Sequence, residues 1–113
     1  MENINAVTVS GNLVKDAELP REGILNFTVA VNTRQKDGED WIDYPNYFDC
    51  VIYGKRADAI KKYLKKGVKV FICGNLRQER WTKDDKAESR VRIRVDNLEF
   101  QSKAKPEDEI PFE

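Results

Sequence analysis

Tyr47 and Tyr53 lie six residues apart in the run YFDCVIY, and Trp81 closes the run LRQERW with Arg77 and Arg80 beside it. Residues of one parity in an extended strand share a face, so the two tyrosines present rings about 20 Å apart, farther than adjacent stacked bases. Flat rings beside cations can stack on nucleobases of any sequence, because every base has a π-face and each stack contributes about 1–3 kcal/mol. The same rings also suit a core or an interface that satisfies their hydroxyls. Arg90, Arg92 and Arg94 alternate with Val91, Ile93 and Val95, lining three guanidinium groups on one face. There they can track phosphates or stack on bases, although such a row also suits a plain solvated surface.

Other chemistry lacks the residues it needs. The chain has no histidine, which removes every mechanism built on an imidazole base or ligand, including Ser-His-Asp and most catalytic zinc sites. It has no P-loop pattern, Gly-rich dinucleotide turn, CxxC pair or acidic metal cluster, so no cofactor, no metal and no enzymatic activity are expected. Cys50 and Cys73 sit in the apolar runs YFDCVIY and VFICG. Both are expected to be reduced and inert in the core.

The scale is that of one domain: 113 residues, 40% hydrophobic, with 20 Lys+Arg against 20 Asp+Glu. Such a chain can hide enough surface to fold without disulfide staples. No apolar run of about 18 residues occurs and the N-terminus MENINAVTVSG lacks a signal-like pattern, so a cytoplasmic protein with no membrane span is expected. The zero net charge conceals a segregation. Residues 1–54 carry four basic and nine acidic side chains, residues 55–94 carry fourteen basic and five acidic, and residues 106–113 carry four acids and no base. A basic body followed by an acidic tail suits a polyanionic partner, while a solvated surface with a solubilising end is the plain alternative.

The elements that must position these residues follow from periodicity. Residues 4–14 read as a first strand interrupted by Gly11, and Leu25, Phe27, Val29 and Val31 alternate with polar residues in a second. Residues 34–46, RQKDGEDWIDYPN, look like a long loop, after which Tyr47 to Tyr53 forms a third strand closed by Gly54. KRADAIKKYLKKG, residues 55–67, is the one helix pattern, with Ala57, Ile60 and Leu64 on a shared face. A fourth strand from Val68 to about Trp81, a turn near Thr82 to Ser89, and a fifth strand from Arg90 to about Phe100 make a hairpin. In that last strand the apolar parity switches near Asp96 and Asn97, which predicts a bulge. An all-β chain with one helix between strands three and four fits the five-stranded Greek-key barrel called the OB fold, whose strand two to three face binds oligonucleotides.

In order and spacing, the stretches VSGNLVKDAEL, LNFTVAVN, YFDCVIYGKRADAIKKYLKKGVKVFICGNLRQERW and IPF resemble the bacterial and phage single-stranded DNA-binding proteins. The resemblance covers residues 4 to about 100 and the tail. It implies an OB-fold domain over residues 1–102, usually a homotetramer, that wraps single-stranded DNA without strong sequence preference and does no chemistry, followed by a short acidic tail at 103–113. The family's base-stacking aromatics fall on Tyr47, Tyr53 and Trp81. A further one falls near Arg34 and Gln35, which are not aromatic, so that platform is either missing or replaced by Trp41. Asp49 also departs from a DNA-binding face, since an acid there repels phosphate unless it pairs with an arginine.

The tail PEDEIPFE is similar to the family's acidic tip, which docks on replication, recombination and repair proteins. Glu107, Asp108, Glu109, Ile110, Pro111 and Phe112 fit that tip, while Glu113 moves the terminal carboxylate one residue beyond the family's final Phe. The expected function is therefore single-stranded DNA binding, with Tyr47, Tyr53, Trp81 and Trp41 stacking bases. Lys55, Arg77, Arg80, Arg90, Arg92 and Arg94 would neutralise phosphates. The alternatives are an OB-fold interaction module with weak nucleic-acid binding, and RNA as the ligand, because stacking alone does not read the 2′-hydroxyl.

Overall fold

The computed structural model describes residues 2–101. Its strands are β1 (Val7–Leu13), β2 (Glu18–Arg21), β3 (Ile24–Asp37), β4 (Asp40–Tyr53), β5 (Lys69–Lys83) and β6 (Lys86–Gln101), with helix α1 (Lys55–Ile60) and a 3₁₀ turn (Lys61–Tyr63) between β4 and β5. The hydrogen-bonded order is β1-β5-β6-β4-β3-β2, and β1 also meets β3 at Asn12↔Ala30 and Leu13↔Val29. That last pairing closes β1, β3, β4, β5 and β6 into a five-stranded barrel. The four-residue β2 is an addition along β3, in a stretch whose Pro20 to Gly23 reads as a turn from sequence.

Alternation fills the barrel. Leu25, Phe27 and Val29 from β3, Cys50 and Ile52 from β4, Val70 and Ile72 from β5, and Ile93 and Val95 from β6 are all buried, and Ala57 and Leu64 close one end. Each fully buried Val, Leu, Ile or Phe contributes about 1.5–3 kcal/mol, so the interior parity of every strand is fixed by burial. Cys73 overturns one expectation. It belongs to the opposite parity from Val70 and Ile72 and is exposed rather than packed in the core, while Cys50 is buried and both thiols are free.

The largest correction concerns residues 34–46. They form no loop: β3 and β4 pair continuously from Ile24↔Tyr53 to Asp37↔Asp40, leaving only Gly38 and Glu39 as the turn. The outer halves of both strands project beyond the barrel and are exposed on both faces. Period-2 hydrophobicity marks a strand only where one face is buried, so an arm wet on both sides carries no such signal. Gly38 has φ 68, which suits the first position of a type II′ turn and matches the strand twist. A second arm is built alike, with β5 and β6 pairing out to Lys83↔Lys86. Asp84 and Asp85 both take positive φ, 52 and 65, the pattern of a type I′ turn. The turn is thus two residues, shorter than the stretch from Thr82 to Ser89.

The expected bulge is present. Cys73 pairs with Asn97 and Gly74 with Val95, so Asp96 is the extra residue. A Cβ on Gly74 would stand 2.0 Å from the Arg94 carbonyl oxygen, which explains the glycine where β6 crowds against β5. The guanidinium of Arg56, on α1, donates to the carbonyls of Val95 and Asp96. It satisfies backbone groups that the bulge removes from the ladder. The helix is shorter than residues 55–67: beyond Ile60 it tightens to the 3₁₀ turn, where Lys61/Lys65 and Lys62/Lys66 would repel at i,i+4 in a continued helix.

Candidate nucleic-acid interface

Three rings fall into line along β4. Trp41, Tyr47 and Tyr53 have one parity in a strand whose register against β3 is unbroken, so they recur every six residues, about 20 Å each. Trp41, Tyr47, Tyr53 and Trp81 are 56, 63, 38 and 42% exposed, which leaves each ring free to receive a planar partner. Trp41 lies opposite Lys36, one residue from Gln35. Arg34 and Lys36 reach over its ring, at 5.7 and 6.0 Å from the centroid. On the other arm Arg90 stands 5.7 Å from the ring of Trp81. Both tryptophans therefore carry a cation on a face that could accept a base.

The basic residues divide by environment. Lys55, at the start of α1, and Arg77 are exposed, and among the described residues Arg80 donates only to the nearby Gln78, at 2.8 Å. Arg94 pairs loosely with Asp96 at 3.4 Å. The row Arg90, Arg92 and Arg94 does not lie uniformly open as its alternation suggests. Arg92 is 7% exposed, with one terminal nitrogen on Glu79 at 2.6 Å and the other on Asn26 at 2.8 Å. Glu79 also accepts from Arg90 Nε at 3.1 Å. Burial opposes ionisation of Glu79, but the hydrogen bonds and charges of Arg92 and Arg90 outweigh it and hold the carboxyl below its ordinary value.

The two arms leave the barrel side by side. β4 and β6 pair in parallel at Cys50↔Ile93 and Val51↔Arg94, and beside that short ladder a cleft of about 240 Å³ is lined by Tyr47, Phe48 and Asp49 from β4 and by Leu76, Val91, Arg92 and Ile93 from β5 and β6. Asp49 does not pair with an arginine: Thr28 Oγ1 donates to it at 2.8 Å. Next to it, burial first and the Asp49 charge second push the Cys50 thiol up to about 12, with Arg92 opposing.

Arg34 and Lys36, over Trp41, and Phe48, in the wall of the cleft, belong to this surface and escaped the sequence reading, whereas Tyr44, of the opposite parity to Trp41, is exposed on the other face of the arm. Continuing the β3 alternation past Asn32 would have put Arg34 and Lys36 on one face and exposed them as neighbours of Trp41. Residues 107–112 lie outside the described residues, so the tail is not placed. Among the described residues no group of three His, Cys, Asp or Glu could hold a metal ion, and no helix is long and apolar enough to cross a membrane.

The model of the Single-strand binding protein family matches residues 4–101. The chain is 44% identical over 108 residues to a protein of Borreliella burgdorferi named single-stranded DNA-binding protein, covering 90% of this chain and 72% of that one. A protein of the same name from Treponema pallidum is 38% identical over 104 residues, covering 88% of this chain and 59% of the other. Among solved structures, the Plasmodium falciparum SSB complex with ssDNA matches with a TM-score of 0.77 at 20% identity, covering 90% of this chain and 98% of that one. That likeness bears on the fold, which is the OB-type barrel.

Proposed function

The chain belongs to the single-strand binding protein family and is a non-enzymatic binder of single-stranded DNA, and we propose that it holds the strand by base stacking along the two arms. The observation that carries this is the line of exposed rings, Trp41, Tyr47 and Tyr53 on β4 with Trp81 on the neighbouring arm. Rings at about 20 Å intervals suit an extended strand that offers bases at separated points, whereas a duplex keeps its bases stacked on one another. Lys55, Arg77, Arg80, Arg90 and Arg94 neutralise phosphates. Arg92, buried behind Glu79, supports the surface rather than meeting the strand.

The protein assembles as a homotetramer, protects single strands during replication, recombination or repair in the cytoplasm, and recruits partner proteins through Glu107 to Phe112. The free edge of β1 supports self-association: on the side away from β5, only Asn12 and Leu13 are paired among the described residues. An open edge beside the exposed Phe71 offers a second copy both backbone hydrogen bonds and apolar area.

Tryptophan fluorescence during titration with oligo(dT) tests the proposal, against duplex DNA and oligo(U) as competitors. Saturable quenching by oligo(dT), with little response to duplex, is expected. No response to any single strand at low salt would contradict it and favour an interaction module.

A further inference from the structure

Asp49 places a carboxylate on a surface otherwise made for a polyanion. It sits two residues from Tyr47 on the same strand face, about 7 Å along β4, and lines the cleft beside the short ladder of β4 and β6. Among the described residues it takes one hydrogen bond, from Thr28 Oγ1 to Oδ1 at 2.8 Å, and no ion pair. The hydroxyl fixes the plane of the carboxylate and leaves Oδ2 open as an acceptor. Among the described residues no donor reaches Oδ2, although Lys15, Arg90 and Arg92 line a neighbouring cleft with Asp49, and the carboxylate itself disfavours a phosphate in direct contact. The group that fits is a neutral donor on the edge of a base whose face rests on Tyr47.

We propose that Asp49 reads the exocyclic amine of a base stacked at Tyr47, so that the protein prefers cytosine to thymine at this point. This rests on the stacking reading above. Cytosine N4 donates to a carboxylate, whereas thymine presents a carbonyl oxygen at the same position and sets two acceptors against each other. The two pyrimidines offer similar ring faces, so stacking hardly separates them and the edge decides. Thr28 and Asn26 stand on the adjacent β3, opposite Asp49 and Val51. The carboxylate is therefore held by the barrel wall and not by the arm.

The test compares affinities for oligo(dC) and oligo(dT) of one length at pH 8, where cytosine N3 is unprotonated, at two salt concentrations. The unaltered protein should bind oligo(dC) roughly three- to tenfold more tightly, below what a bidentate contact supplies. The ratio should not change with salt, because both oligomers carry the same phosphates. Asp49→Ala should bring the ratio to about one while keeping or strengthening oligo(dT) binding. Thr28→Val, which frees the carboxylate to rotate, should lower the ratio without changing the charge. Equal affinities in the unaltered protein, or a preference that survives both substitutions, would overturn the role of Asp49. Failure of the unaltered protein to bind either oligomer would instead contradict the single-strand reading beneath it.

Discussion

Glu79 Oε2 lies 2.6 Å from Nη2 of Arg92, whose other terminal nitrogen donates to Asn26 at 2.8 Å. One buried guanidinium thus ties β3, β5 and β6 together at the root of the second arm. A buried charge is tolerated only while its partners remain, so the pair fixes where the arm leaves the barrel.

Removing the carboxylate should therefore weaken the fold. Glu79→Ala is expected to cost about 1–3 kcal/mol in urea unfolding at neutral pH. The native carboxyl is held below its ordinary value. Its contribution is then fully present above the unfolded value, about 4.3, and is lost as pH falls through the native one. The unaltered protein should lose more stability than the variant between pH 7 and acid, and parallel losses would contradict the pairing.

The bulge at Asp96 needs a residue without a side chain opposite it. Gly74→Ala brings a Cβ against the Arg94 carbonyl, and crowding of this kind costs about 1–3 kcal/mol. Thermal unfolding should show the loss, and an unchanged midpoint would mean that the strands separate easily there.

The two thiols should behave differently. Cys73 is exposed, and Cys50 is buried with its thiol pushed up to about 12. A disulfide reagent applied to the native protein at pH 8 should modify one thiol, and the second only after denaturant is added. Rapid reaction of both would show that β4 opens around Cys50.

Asp84 and Asp85 occupy left-handed positions that Asn-Gly fills with less strain. Replacing them together should raise stability by about 0.5–1 kcal/mol. Binding of oligo(dT) should be kept or strengthened, since the turn lies beyond Trp81 and two carboxylates that repel phosphate are removed.

Much of this molecule could be read from its sequence. Leu25 to Val31 alternate because one face is buried, the parity switch near Asp96 reports a real bulge, and the order of strands and helix leads to the barrel. The arms could not be read in that way. From Arg34 to Tyr44 both faces meet water, so burial imposes no alternation, and the stretch resembles a loop. Arg92 misleads for the opposite reason: its neighbours in sequence suggest an outward row, but Glu79 and Asn26, brought in by β5 and β3, cover it. Cys73 lies among apolar residues in sequence, yet parity turns it outward. Side-chain facing within a strand was legible where the core decides it, and the partners supplied by distant strands were not.

Trp81→Ala tests most directly whether rings on the arms hold the strand by stacking. Affinity for oligo(dT) should be measured for the unaltered protein and the variant across a range of salt. A loss of about 1–3 kcal/mol is expected in a variant that still folds. Both proteins should share the same slope of log affinity on log salt, about −0.7 per phosphate neutralised. Unchanged affinity in a folded variant would remove Trp81 from the site and contradict the account.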